Sequence, residues 1–104
     1  MRLLCSLRNG IYNLCIWFKV IWRDCPWDYH YFFVMLRKKL SLMEQFIRVK
    51  GCHEDHIEDA DNIKECIRLL DKIIADDYED MAVIVVDIRD LFKIIDNNIL
   101  GWWD

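Results

Sequence analysis

The chain has few of the residues that interrupt regular secondary structure. Its 104 residues include three glycines and one proline, and no stretch is rich in Ser, Gly or Pro. This composition argues against interdomain linkers and against many short strands joined by tight turns. Hydrophobic residues make up 55% of the sequence, which argues against disorder and is sufficient for a folded core. We therefore expect a single domain that covers residues 1–104.

Common signatures of metal binding and nucleophilic catalysis are also missing. The five cysteines include no CxxC pair, and this pattern favours reduced, buried thiols over a disulfide framework or a zinc module. No Gly-rich phosphate loop, GxSxG frame or HExxH motif is present. His53 and His56 could share a helix face beside a metal ion, but a polar loop explains them better. We predict no catalytic residue, no metal site, no cofactor and no enzymatic activity.

Charge is divided unequally between the two halves of the chain. Residues 1–50 hold nine Lys/Arg and three Asp/Glu, a net charge of +6, whereas residues 51–104 hold five and fifteen, a net charge of −10. The simplest interpretation is that the halves attract each other, within one chain or across an oligomer. The net charge of −4 argues against nonspecific DNA binding, because phosphate contacts need a basic face.

Hydrophobic periodicity predicts a helix over residues 27–50, on which the other segments are expected to pack. Asp24 is its predicted N-cap, and Gly51 is expected to end it in the left-handed conformation. Residues 52–77 form the next predicted helix, in which Arg68 can pair with Asp71. Its apolar seam consists of Ala60, Ile63, Ile67, Leu70 and Ile74.

The segment after the second predicted helix allows two interpretations, a strand or a helix. The acidic run at 76–80 could bind a divalent cation, but a solvated turn is the better interpretation. Residues 81–86 are rich in β-branched side chains and could form a strand. Apolar residues continue at helical spacing from Ile84 to Ile99, and no partner strand is evident, so we predict a helix that Gly101 closes.

Residues 1–23 start with a basic patch and become apolar. The apolar run at 11–22 is interrupted by Asn13 and Lys19, and it is shorter than the roughly twenty residues that span a membrane. We predict no membrane span and favour a core or oligomer-facing helix. Contact with a membrane surface is the alternative, because Trp22 and other rings stand beside cationic side chains.

Four helices with short connections predict an all-α fold, a helical hairpin or bundle that a second copy of the chain could complete. Aromatic rings mostly fill cores and interfaces, which is the favoured interpretation here. Rings can also stack on nucleobases while cations contact phosphates. The residues that we single out for such a ligand site are Trp27, Tyr29, Lys39, Trp102 and Trp103.

Short sequence elements stand out from this helical background. They are Trp27-Asp28-Tyr29, Lys39-Leu40, Met43-Glu44, Ile67-Arg68-Leu69-Leu70-Asp71, Asp77-Tyr78-Glu79 and the terminal Gly101-Trp102-Trp103-Asp104. Together they resemble a family of small uncharacterised proteins encoded by tailed bacteriophages, over most of residues 20–80 and the last four. Relatives often carry a longer charged insert where this chain has the short apolar segment 81–98. The resemblance implies an intracellular protein made during infection, and it brings no catalytic residues.

Residues and resemblance together lead to a functional hypothesis. The chain is expected to be a non-enzymatic phage accessory protein that acts by binding in the cytoplasm of the infected bacterial host. From its phage context, the resemblance implies a role in counter-defence, either by occluding a host immune protein or by sequestering a nucleotide signal. The alternative is a structural or assembly protein that forms homo-oligomers through its helical seams.

Overall fold

Four α-helices and a short 3-10 turn account for the described part of the chain. The computed structural model describes residues 2–25, 27–51, 54–75 and 80–102. The helices are α1 (Arg2–Arg23), α2 (Tyr29–Lys50), α3 (His56–Ala75) and α4 (Met81–Asn98), and the 3-10 turn is Ile99–Gly101. No strand occurs among these residues, so the predicted all-α fold is confirmed. The run at 81–86 is helical.

Helix α3, and not α2, is the central element of the fold. It packs along α2 on one side and along α4 on the other, and these are the principal contacts between helices. The predicted seam describes its buried surface only in part. Ile67 and Ile74 of the seam are half-buried, and other residues of α3 are buried although they lie outside the seam. A helix with neighbours on two sides needs a wider apolar stripe than a two-helix seam. The buried residues of α3 are Ala60, Ile63, Cys66, Leu69, Leu70 and Ile73.

The flanking helices bury narrower stripes against α3. In α2 the buried residues are Phe33, Leu40 and Ile47, which recur at intervals of seven. This spacing is typical of two helices that pack side by side with a small angle between their axes. Leu91 of α4 and Trp102, just after the 3-10 turn, complete the same core cluster.

Side-chain caps begin two of the helices. The Asp28 carboxylate accepts a hydrogen bond from the His30 backbone N–H at 3.0 Å, so Asp28 caps α2. The prediction of Asp24 as this cap was wrong, because its backbone N–H bonds the Ile21 carbonyl oxygen and thereby extends the end of α1. Asp80 caps α4 by accepting from the Ala82 N–H at 2.9 Å.

Gly51 ends α2 because it lacks a side chain. Its φ and ψ are −63° and 136°, so the predicted left-handed conformation was wrong. A β-carbon at position 51 would lie 2.3 Å from the Ile47 carbonyl oxygen and 2.6 Å from the His56 β-carbon. His56 Nδ1 also lies 3.1 Å from that oxygen. The chain can therefore turn closely from α2 into α3 only with glycine here.

Ion pairs between helices establish the antiparallel order of α2, α3 and α4. They are Arg37 with Asp71 and Arg48 with Asp61 across α2 and α3, and Lys72 with Asp87 across α3 and α4. The predicted pairing of Arg68 with Asp71 was wrong, since Asp71 pairs with α2. Arg68 instead bonds Glu65 at 2.5 Å, and this bond lowers the pKa of the Glu65 carboxyl.

Helix α1 lies beside α2 and buries little surface. Only Ile16, Trp17 and Val20 are half-buried, and every residue from 3 to 15 is exposed. Of the two placements predicted for residues 1–23, the core placement is therefore wrong, and the oligomer-facing placement stays a prediction. The described chain is flat and elongated, with extents of 53 × 37 × 17 Å.

No helix in the described ranges has the combined length and apolar character needed to cross a membrane, in agreement with the sequence.

Candidate functional site

The residues predicted for ligand binding do not form one pocket. Trp27 and Tyr29, at the start of α2, are 82% and 66% exposed. Lys39 is exposed near the middle of α2. Trp102 is only 6% exposed and belongs to the core. Trp103 lies outside the described residues.

Trp102 and Tyr29 lie at opposite ends of the helical stack. A β-carbon on Gly101 would be 3.9 Å from the Asp59 carboxylate, so the residue before Trp102 lies near the start of α3. Because α2 and α3 are antiparallel, Tyr29 at the start of α2 lies near the end of α3 instead. A ligand that contacts Tyr29 therefore has no access to the buried Trp102 ring.

The groove between α1 and α2 combines rings and cations. Its volume is about 450 Å³, within the range of small-molecule sites. Tyr12 and Trp17 line it from α1, and Phe46, Lys39 and Lys50 line it from α2. The lining residues from the described part of the chain include no Asp or Glu. Of the four predicted residues that the structure describes, Lys39 alone is part of this groove.

The electrostatics of the groove favour an anionic ligand. Lys50 Nζ lies 6.0 Å from the centre of the Phe46 ring, at the limit of cation–π attraction. Lys39 and Lys50 line the groove from α2, and the rings of Tyr12 and Trp17 line it from α1. A planar anion could stack on a ring while its charge contacts the lysines.

Sequence reasoning found the groove only in part. Lys39 was predicted as a ligand residue, whereas Trp17, Phe46 and Lys50 were not. The missing signal is which side of α1 faces α2, because Tyr12 and Trp17 come from α1 and the two lysines come from α2. Periodicity within each helix gives no information on which faces of two helices meet.

The possible metal site near His53 has little support. His53 and Cys52 lie outside the described residues, as do the acidic residues 76–79. The ring of His56 contacts the Ile47 carbonyl oxygen, which places it in the turn between α2 and α3. Within the described ranges, no group of three or more His, Cys, Asp or Glu side chains could hold a metal ion.

The cysteines differ in burial. Cys66 is fully buried, and burial, followed by the Glu65 charge, raises the pKa of its thiol from 9.0 to about 11. This thiol is protonated at neutral pH and hence a poor nucleophile. Cys5 and Cys15 are exposed on α1, so the prediction of buried thiols was wrong for them. Cys25 is half-buried.

Comparison of the chain with protein-family models, with curated proteins and with solved structures gives no significant match. The resemblance to phage proteins stays a prediction from the sequence.

Proposed function

We propose that this protein is a non-enzymatic phage accessory protein that acts by binding, and that the groove between α1 and α2 captures a nucleotide. The observation that supports this proposal is the combination of Tyr12, Trp17 and Phe46 with Lys39 and Lys50 in one groove. In an infected cell such a groove would sequester a nucleotide signal of the host's defence. The proposed site of action is the host cytoplasm.

The energetics of the groove are suited to this ligand class. A base stacked on an aromatic ring gains about 1–3 kcal/mol, whichever base it is. Lys39 supplies positive charge for phosphate, Lys50 lies beside it in the lining, and the described lining includes no carboxylate. Because the groove is open to solvent, we expect moderate affinity and a marked dependence on salt.

The test is titration calorimetry of the full chain with ADP and with a cyclic dinucleotide. Lys39→Glu reverses a charge of the groove and should weaken binding by about tenfold or more, equivalent to about 1.4 kcal/mol. Lys93→Glu, at an exposed position of α4, is the matched control and should leave binding unchanged. Absence of binding by the wild-type chain, or equal losses in both variants, would contradict the proposal.

Occlusion of a host protein is the second candidate. It is favoured by Trp27 and Tyr29, two neighbouring rings that the fold leaves largely exposed. Trp and Tyr are enriched among residues that dominate the energy of protein interfaces. Under this alternative, a pull-down from infected cells captures one host protein, and Trp27→Ala abolishes the capture without affecting nucleotide binding.

Assembly into a homo-oligomer is the structural alternative, and the apolar surface that α1 exposes is consistent with it. Light scattering of the purified chain distinguishes the classes. A large oligomer without bound nucleotide would favour assembly, whereas a monomer that co-purifies with nucleotide would favour sequestration.

A further inference from the structure

The outer side of α1 is a continuous apolar stripe that no other described element covers. Successive members are three or four residues apart and hence share one face of the helix. They are 56–79% exposed. The stripe consists of Leu3, Leu7, Ile11, Leu14, Phe18 and Ile21. Leu4 and Trp22 widen it at one edge, and the Trp22 ring stacks on Phe18 with 5.8 Å between ring centres.

This stripe is on the side of α1 that faces away from α2. The half-buried residues that face α2 are Ile16, Trp17 and Val20, which lie roughly half a helical turn from the stripe at 3.6 residues per turn. Helix α1 thus contacts the rest of the protein through its less apolar side. Exposed apolar surface of this extent marks a binding surface.

The charge of α1 is of one sign. Its sequence contains four Lys/Arg and no Asp or Glu, so every one of the 18 acidic residues lies elsewhere in the chain. The exposed cations of α1 lie along one flank of the stripe, because spacings of eleven and four residues return to nearly the same side of a helix. They are Arg8, Lys19 and Arg23. An anionic surface would complement this flank.

We propose that the outer stripe of α1 docks on the surface of a bilayer that contains anionic lipids, with the helix axis parallel to the membrane. A helix with apolar and aromatic residues on one face and cations beside them is typical of interfacial helices. Arg8 and Lys19 are spread along the helix, and only a parallel orientation keeps both at the level of the headgroups while the stripe is buried. This inference does not depend on nucleotide binding, because the groove is lined by the other side of α1.

Charge favours a lipid surface over a second copy of the chain. Two α1 helices that paired stripe to stripe in antiparallel orientation would bring their cationic flanks to the same side, and neither helix has a carboxylate to offset them. Anionic headgroups neutralise the same flank. The acidic residues of α3 and α4 are separated from the docking face by α2, so they need not approach the lipid.

The test is co-sedimentation of the full chain with vesicles of phosphatidylcholine, with or without roughly one-third phosphatidylglycerol. We expect partitioning to be at least about tenfold stronger on the anionic vesicles and to weaken as salt is raised. Leu14→Glu combined with Phe18→Glu places two carboxylates in the stripe and should abolish binding. Both positions are exposed, so circular dichroism should show an unchanged helical fold.

The matched control is Met81→Glu combined with Val85→Glu, which has the same spacing and alters exposed apolar residues of α4. This variant should bind vesicles like the wild-type chain. Arg8→Gln with Lys19→Gln should remove the preference for anionic lipid.

Failure of the wild-type chain to sediment with anionic vesicles would overturn the proposal, and so would equal losses in the stripe and control variants. Self-association that the stripe variant abolishes, without vesicle binding, would assign the stripe to a second copy. None of these results affects the titration of the groove with nucleotide, so the two proposals fail separately.

Discussion

The Lys72 ammonium lies 3.1 Å from the Asp87 carboxylate, which connects the central helix α3 to α4. Asp87 is only 7% exposed, although aspartate usually remains in solvent. A buried carboxylate is tolerated when cationic and hydrogen-bonding groups surround it. The contact therefore restricts the register of α4, which has the smaller of the two helix interfaces with α3.

Replacement of Lys72 should destabilise the protein more than replacement of another lysine on the same helix. Lys72→Met removes a partner of a buried carboxylate, at an expected cost of about 1–3 kcal/mol. Lys64→Met alters an exposed position of α3 and should change the free energy of unfolding by less than about 0.5 kcal/mol. Urea denaturation of both variants measures the difference, and similar values would contradict a stabilising role for the Lys72 contact.

Gly51→Ala should be strongly destabilising. The added β-carbon would overlap the Ile47 carbonyl oxygen and His56, both of which belong to helix ends that cannot move apart without loss of packing. We expect a loss of more than about 1 kcal/mol in the free energy of unfolding, typical of overpacked sites. Chemical denaturation measures it. A variant as stable as the wild type would show that the turn between α2 and α3 relaxes easily.

Gly10→Ala should stabilise its helix, in contrast to the loss of stability expected for Gly51→Ala. Position 10 is inside α1, and nothing lies within 4 Å of the place that a β-carbon would take. Alanine favours a helix interior over glycine by about 0.5–1 kcal/mol. Amide hydrogen exchange in α1 should slow by about two- to fivefold, with exchange in α3 unchanged as the internal control. Faster exchange in α1 would contradict this prediction.

Trp102 should behave as a core residue. Its indole N–H has no hydrogen-bond partner among the described residues, so the ring contributes by packing. Trp102→Ala is expected to cost about 3–5 kcal/mol, whereas Trp102→Phe keeps most of the ring and should cost less than about 1.5 kcal/mol. Thermal and urea denaturation compare the two. Equal losses would indicate that the N–H has a partner in solution.

Cys66 should make stability depend on alkaline pH. Burial raises the pKa of its thiol from 9.0 to about 11, so the folded chain retains the proton to higher pH than the unfolded chain does. The stabilising contribution is complete below pH 9 and is lost as the pH rises toward 11. The stability difference between the wild type and Cys66→Ala should therefore narrow over this interval. A difference that is constant from pH 8 to pH 11 would contradict the raised pKa.

The sequence was sufficient to predict the helices because each one has a clear apolar period. It was insufficient wherever the outcome depended on a neighbouring element. Asp24 and Asp28 are equally good caps by composition, and the choice between them depends on α1 continuing to Arg23. Cys66 and Ile73 lie outside the predicted seam, and they are buried because α3 has helices on two sides.

The candidate groove was harder to predict than the fold. Lys39 could be named because it is a cation in a ring-rich chain. Tyr12 lines the groove only because of the rotation of α1 about its own axis, and that rotation places the more apolar side outward. Burial of apolar surface within one chain would require the reverse orientation, which is why the core was one of the two placements predicted for α1.

The order of helices along the chain has a kinetic consequence. The main interfaces join α2 to α3 and α3 to α4, so segments that meet in space are adjacent in sequence. Closing the short connections between them costs little chain entropy. Helical proteins with such local contacts cross their folding barrier in microseconds to milliseconds. Stopped-flow refolding of this chain should therefore be complete within the dead time or shortly after it.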